Sequence, residues 1–264
     1  MTQHTGTALV TGASSGIGAA YAEQLAARGH GLILVARDAA RLEAAAQRIG
    51  RETGVSVEVL PADLTQPADL AAVRDRVATD EGLGLLVNCA GLGPLGPSLD
   101  SPAELYDGML DLNVRALQTL TFAAARAFVG RGGGAVVNVS SAVALIPERF
   151  NAGYAAQKAF VLALTQGLAA EIGDKGVRLQ AVLPGVTRTE FFDRAGADIG
   201  QIPADMIMEA RDLVAAALAG LDAGETVTIP SLPDPADWQA FEAARFHLGP
   251  NLSRRVPAAR YGLG

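Results

Sequence analysis

Thr11-Gly12-Ala13-Ser14-Ser15-Gly16-Ile17-Gly18 decides how the chain is read. It follows the short run Thr7 to Thr11 and leads into an alanine-rich stretch from Ile17 to Arg28. A glycine-rich turn between a strand and a helix lets backbone approach a pyrophosphate closely. The N–H groups and positive end of the following helix favour that anion. A plain tight turn is the competing reading of the same glycines, and the strand-turn-helix context argues against it.

Outward from the loop, short apolar runs alternate with longer Ala/Leu-rich stretches punctuated by charge, the pattern of a parallel sheet built from βα units. Strands are predicted at Thr7 to Thr11, Gly31 to Ala36, Val55 to Leu60, Leu85 to Asn88, Ala135 to Ser140, Arg178 to Leu183 and Thr226 to Ile229. Helices are predicted near Ile17 to Arg28, Ala39 to Glu52, Ala68 to Asp80, Pro102 to Gly130, Tyr154 to Gly173 and Ala210 to Leu221. Runs such as LILVA and AVVNVS are continuous rather than alternating, as in strands buried on both faces. The expected fold is one α/β domain over residues 1–264, a doubly wound, mainly parallel seven-stranded sheet with helices on both faces.

Composition narrows the function. Half of the 264 residues are apolar and 19% are charged, which builds a large core and excludes a disordered or fibrous chain. A formal charge of −7 repels a phosphate backbone, so no nucleic-acid partner is expected. The single cysteine, Cys89, excludes an intrachain disulfide and fits a reducing compartment. His4, His30 and His247 are far apart with no ligand-like spacing, so no metal site is expected. No run reaches the roughly 18 apolar residues of a membrane span, and the first residues lack a basic segment leading into an apolar one. The expected location is the cytoplasm, away from membranes.

TGASSGIG resembles the glycine motif of the short-chain dehydrogenase/reductase family in its compact form, and further motifs follow in the family's order. Asn88-Cys89-Ala90-Gly91 is similar to its NNAG, with Cys89 in place of the second Asn. Asn113 matches its catalytic Asn, Ser141 precedes Tyr154 by thirteen residues, Tyr154-Ala-Ala-Gln-Lys158 is its YxxxK, and Pro184-Gly185 with Thr189 is its PGxxxT. The match extends from about Thr7 to Ile229. The resemblance implies a Rossmann fold and a nicotinamide cofactor lying on Gly12, Ser14, Ser15, Gly16, Ile17 and Gly18, and on Asn88, Ala90, Gly91, Pro184 and Gly185. By the same resemblance Asp63 and Leu64 contact the adenine, Asp63 having a helix cap as its alternative reading, while Thr189 and the backbone near Val186 and Thr187 fix the carboxamide.

The end of the second strand selects the cofactor, because an acidic residue there binds a ribose 2′-hydroxyl and a basic one suits a 2′-phosphate. Ala36 occupies the position of the acid and Arg37 follows it. Arginine binds phosphate bidentately, so NADP is expected over NAD. Ser14 adds a hydroxyl by resemblance, Arg41 lies one helical turn on, and Asp38 reads as the cap of the second helix.

Tyr154 and Lys158 are four apart on a predicted helix and share one face. Alone such a pair is an ordinary helix face; Ser141, Asn113 and the glycine loop turn it into a candidate site. A nearby ammonium favours a phenolate, so Lys158 is expected to lower the Tyr154 pKa toward neutrality and, by resemblance, to hold the nicotinamide ribose. Tyr154 and Ser141 would donate to the oxygen that gains negative charge as a carbonyl receives hydride, with Tyr154 the general acid in reduction and base in oxidation. Asn113, by resemblance, keeps a water that links Lys158 to solvent. Ser140 is a competing nucleophile, but no G-x-S-x-G frame surrounds it or Ser141.

The expected activity is NADP(H)-dependent interconversion of a carbonyl and a secondary alcohol. A non-catalytic dinucleotide sensor or scaffold, a 3-oxoacyl-thioester reductase, and a sugar epimerase or dehydratase using the same Tyr and Lys are alternatives. Residues 187–209, with Phe191, Phe192, Gly196, Gly200 and Pro203, read as a substrate lid without a clear strand. Leu92 to Leu95, Val143 to Phe150, Ile202, Met206 and Met208 would give it an apolar pocket, for a mainly apolar, medium-sized ketone or aldehyde. Arg149, Arg188 and Arg194 are the nearby cations. Residues 230–264, including a predicted helix from Ala236 to Leu248, read as an extension packed on the domain or at a subunit contact. Ala/Leu-rich stretches in the helices of Asn113 and Tyr154 suggest a homodimer or homotetramer.

Overall fold

The computed structural model describes residues 6–94, 96–195 and 198–263, with only the backbone of Asp193 and Arg194. His4, Leu95, Gly196 and the Arg194 side chain, all named above, lie outside what is described. The chain forms two compact units, divided between Pro230 and Ser231.

In the first unit, β1 (Thr7–Thr11), α1 (Gly16–Ala27), β2 (Leu32–Ala36), α2 (Ala39–Thr53), β3 (Val57–Pro61), α3 (Pro67–Thr79) and β4 (Leu83–Asn88) follow in order. Then come α4 (Ala103–Met109), a π-helical stretch Leu110–Ala116, α5 (Leu117–Arg131), β5 (Gly134–Val139), α6 (Ala152–Ile172) and β6 (Val177–Val182). The unit closes with β7 (Thr187–Arg188), α7 (Phe191–Arg194), β8 (Met208–Glu209), α8 (Ala210–Ala223) and β9 (Val227–Thr228). The main sheet has the order β3-β2-β1-β4-β5-β6-β9, and every pairing in it is parallel.

The seven expected strands are all present, their ends moved by a residue or two. Residues of the inner strands, such as β2 and β5, are buried on both faces, which is why their sequences run apolar without alternation. One face carries Tyr21 and Leu25 of α1, Leu42 and Ile49 of α2, and Leu213 and Leu218 of α8. The other carries Val73 and Val77 of α3, Leu120 and Phe128 of α5, and Leu168 of α6. The order reverses between β1 and β4, so their carboxyl ends flank the crevice where such folds bind ligands.

Two expectations change. The helix expected from Pro102 to Gly130 is α4, the π-helical stretch and α5, because a wider turn at Asn113 is invisible to a 3.6-residue apolar period. Such insertions recur at functional sites. The segment 187–209 does contain strands: β7 and β8 pair with each other, Thr187 opposite Met208 and Arg188 opposite Glu209, and at two residues each they leave no pattern in sequence.

The second unit consists of α9 (Pro235–His247), capped by Asp234 accepting from Ala236 N at 2.8 Å, and short turns through Tyr261. Trp238 and Phe241 stack within it at 5.3 Å between centroids. Among the described residues no helix is long and apolar enough to cross a membrane.

Candidate active site

At the end of β1 the backbone turns with φ of 70° at Gly12, and a Cβ there would meet Ala90 N and Cα at 2.9 Å. Thr11 Oγ1 accepts from Cys89 N at 3.0 Å and Ala90 N at 3.1 Å, binding the glycine loop to the loop after β4. A Cβ on Gly18 would overlap the carbonyl of Gly12, so the start of α1 lies directly against the turn. Ser15 stands at the N-cap of α1, and Gly16 has φ of 55° with the Thr189 side chain 3.0 Å from where a Cβ would stand. The result is a cradle of bare backbone at a helix N-terminus, closed by Thr189. It fits the diphosphate of a dinucleotide.

Beyond β2, Ala36 leaves no carboxylate and Arg37 is exposed, with no ion pair among the described residues. Asp38 does cap α2, accepting from Arg41 N at 3.0 Å. Arg41 is engaged by Glu190, its Nη1 at 3.0 and 2.8 Å from the two carboxylate oxygens. The donor set therefore fits a 2′-phosphate through Arg37. Asp63 is not a helix cap: its Oδ1 accepts from Thr65 N and Oγ1 in a local turn, and Gln66 caps α3. The Leu64 side chain is turned into the core. The Asn88 amide nitrogen is engaged, Nδ2 donating to Thr121 Oγ1 at 3.1 Å and Asn138 Oδ1 at 2.9 Å, while its buried Oδ1 has no partner among the described residues.

β5, α6 and the loop after β6 bring the remaining predicted residues together. Lys158, 6% exposed, donates from Nζ to Val139 O at 2.9 Å, and its Nζ lies 5.7 Å from the Tyr154 ring centroid. The Ser141 hydroxyl donates to Pro184 O at 3.4 Å and is near enough to the Tyr154 phenol to favour its ionised form. Ser140 is resolved as a structural residue, donating to Lys158 O at 2.6 Å. The Asn113 amide accepts from Leu92 N at 3.0 Å and donates to Leu92 O at 2.7 Å and Gln157 Oε1 at 2.9 Å. Asn113 thus reaches the YxxxK face through Gln157, a residue the spacing gave no role. Gly91 lies between them: a Cβ there would sit 3.3 Å from Asn113 Oδ1 and 3.7 Å from Lys158 Nζ. Thr187 donates to Gly185 O at 3.1 Å, and Thr189 Oγ1 accepts from Phe191 N at 3.3 Å.

Electrostatics correct one expectation. Desolvation pushes the Tyr154 phenol above its usual range, Ser141 opposing it, and Lys158 is not among the groups that lower it. Burial also lowers Lys158, to about 8. The same burial pushes the Cys89 thiol up to about 12, with Lys158 opposing. Four-residue spacing reports proximity; it does not report the loss of water that disfavours both charges.

Residues 6–200 match the family model described as short chain dehydrogenase. The chain belongs to the short-chain dehydrogenase/reductase family. It is accordingly an oxidoreductase of the kind that acts on CH–OH groups. Galactitol 2-dehydrogenase (L-tagatose-forming) from Cereibacter sphaeroides is 37% identical over 186 residues, 70% of this chain and 72% of that protein. Among solved structures, a short-chain dehydrogenase from Sphingobium yanoikuyae in complex with NADPH superposes with a TM-score of 0.93 at 49% identity, covering 97% of this chain and 100% of the other. The bulky-bulky ketone specific alcohol dehydrogenase from Comamonas testosteroni gives 0.90 at 43%, covering 98% and 99%. Both structures span this short-chain dehydrogenase through its second unit.

Proposed function

We propose that this short-chain dehydrogenase uses NADP(H) to interconvert a mainly apolar, medium-sized to bulky ketone or aldehyde and its alcohol. The observation that carries the reading is the placement of Tyr154 against the buried Lys158, whose Nζ lies 5.7 Å from the phenol ring centroid, with Ser141 near enough to oppose the rise in the Tyr154 pKa. Gly12, Ser14, Ser15, Gly16, Ile17 and Gly18 hold the dinucleotide's diphosphate, Arg37 its 2′-phosphate, and Thr187 and Thr189 the carboxamide. NADPH, when bound, supplies the hydride. Ser141 and Tyr154 donate to the carbonyl oxygen as it becomes anionic, and the Tyr154 proton moves to it to give the hydroxyl. Burial favours the protonated phenol, the form that donates in reduction; oxidation requires the phenolate. Lys158 orients the ribose, and Asn113 with Gln157 braces its helix.

The side chains assigned to the substrate pocket are apolar. Ile146 and Phe150 are exposed after Ser141, Met206 is exposed in the segment 187–209, and Phe191 lies 5.9 Å from Tyr154 between ring centroids. An unpaired charged substrate is disfavoured there, and the ketone specificity printed for the Comamonas relative points the same way. Segment 187–209 acts as the lid, its ends clasped by β7 and β8. The enzyme works as a homodimer or homotetramer.

The test is NADPH and NADH oxidation against a panel of carbonyls of graded size and charge. NADPH preference with bulky apolar ketones is the expected result; equal use of NADH, or a preference for small charged keto acids, defeats the cofactor or pocket assignment respectively. Arg37→Asp should reverse the cofactor preference.

A further inference from the structure

The loop after β4 touches Tyr154 both on its ring and through its helix, and the family motifs account for neither contact. Gly93 presents a bare Cα to the ring: a Cβ built there would lie 2.5 Å from Cδ2 and 2.8 Å from Cε2. No side chain fits without turning the ring or pushing the loop away.

The second contact runs through Asn151, 6% exposed, at the N-cap of α6. Its Oδ1 accepts from Tyr154 N at 3.0 Å. That bond alone would satisfy the helix, and Ser or Asp would supply it equally well. Asn151 adds two donations from Nδ2, to Gly96 O at 3.2 Å and Tyr106 Oη at 3.0 Å. The Tyr106 hydroxyl donates to Ser98 O at 2.8 Å, while Ser98 Oγ accepts from Ala152 N at 2.8 Å. The Tyr106 ring packs on Gly153 where a Cβ would stand. Each of the three residues before Tyr154 is therefore fastened to this loop or to the helix that follows it.

We propose that Gly93 and Asn151 are positioning residues, which join the loop after β4 and the first turn of α6 into one rigid seat for the Tyr154 phenol and hold its hydroxyl at Ser141. The inference rests on the acid/base role given to Tyr154 above. A catalytic group must be held within a fraction of an ångström, and a displacement of about 1 Å can cost on the order of a hundredfold in rate. Titration of Tyr154 reports its seating, because the groups that face it are Ser141, which lowers its pKa, and Cys89, which raises it, with Lys158 beyond at 5.7 Å.

The experiment is a pH titration of the NADP+-loaded enzyme labelled with 13Cζ-tyrosine, the Tyr154 resonance among the four tyrosines being assigned with Tyr154→Phe. It is run on wild type, Gly93→Ala, Asn151→Asp and Tyr106→Phe, alongside kcat for the best carbonyl of the panel, Tm and NADPH affinity. Asn151→Asp keeps the cap and removes both donations, so it separates a helix cap from a seat. Gly93→Ala and Asn151→Asp should each raise the Tyr154 pKa by about half a unit or more, through the weakened influence of Ser141, and lower kcat at least about tenfold, with Tm and NADPH affinity near wild type. Tyr106→Phe should give a smaller change in the same direction. A wild-type titration and kcat in Asn151→Asp and in folded Gly93→Ala would overturn the proposal. If Gly93→Ala fails to fold, the Asn151→Asp result alone decides it. Turnover retained by Tyr154→Phe while the seat variants still shift the titration would instead sink the acid/base reading and leave the seat as geometry.

Discussion

Lys158 pays for its position in stability. Burial lowers its pKa from 10.5 to about 8, so near neutrality the folded protein holds an ammonium in a place that disfavours it. Between about pH 8 and 10.5 the unfolded chain binds the proton and the folded one releases it, so folding stability rises with pH across that window. Lys158→Met should therefore be more stable than wild type at pH 7, by on the order of 1–3 kcal/mol, with the gap narrowing above pH 8. Denaturant midpoints measured across pH check the sign; a gap that widens toward pH 10 contradicts it. For chemistry, Tyr154→Phe should lower reductive turnover by about 10²–10⁴-fold with NADPH binding intact. Wild-type reduction should stay level through neutral pH, whereas alcohol oxidation should climb with pH as the raised phenol ionises. Residue types and their order were legible in the sequence because hydride chemistry needs a donor, a cation and a phosphate cradle. The pKa directions were not, since desolvation belongs to the surroundings, and neither were Gly93 and Asn151. Asn151 carried one readable signal, a capping residue three before Tyr154.

Between elements, four buried polar side chains form a ladder behind the site. Asn88 of β4 donates to Thr121 of α5 and to Asn138 of β5; Thr121 donates to Asn138, and Asn138 donates to Thr165 of α6 at 3.0 Å. Asn138 is central, so Asn138→Ala removes three hydrogen bonds, one to a side chain on each of three elements, while Asn88 keeps Thr121 and Thr165 keeps Val161 O. At about 0.5–1.5 kcal/mol for each of the three lost hydrogen bonds, the expected loss is roughly 2–4 kcal/mol, read as a lower urea midpoint at unchanged slope. A loss below about 0.5 kcal/mol would mean the ladder carries no stability. The strand containing Asn138 was readable from its apolar run; its partners were not, because hydrophobic periodicity is silent about what a polar residue meets. The same silence hid β7 and β8, whose two-residue clasp, with Arg188 Nε 2.7 Å from Glu209 Oε1, ties the ends of the proposed lid. Limited proteolysis within 189–207 should slow with NADP and slow further with NADP plus an apolar carbonyl. Identical cleavage in all three states would show a segment packed permanently in place.

At the scale of the molecule, charge and apolar surface are unevenly divided between the two units. The second unit carries Arg245, Arg254, Arg255 and Arg260 against Asp234, Asp237 and Glu242, while the whole chain is −7, so the acidic excess lies in the first unit. That basic unit also displays Phe246, Leu252, Val256 and Leu263 at 67–76% exposure. Large apolar side chains in the open are unusual for an isolated monomer, and a contact with a second copy is the arrangement they would support. A second copy offers the opposite charge, and pairing through a two-fold axis brings each basic unit to an acidic partner at once. Light scattering at micromolar concentration should therefore find a dimer or tetramer, and deletion of residues 231–264 should shift the population to smaller species while the first unit stays folded. Screening acts mainly on exposed charges beyond about 10 Å, so salt near 0.1 M and above should slow assembly more than it weakens the assembled form. A full-length chain that stays monomeric at every salt concentration would show that the exposed side chains of the second unit serve something other than self-association.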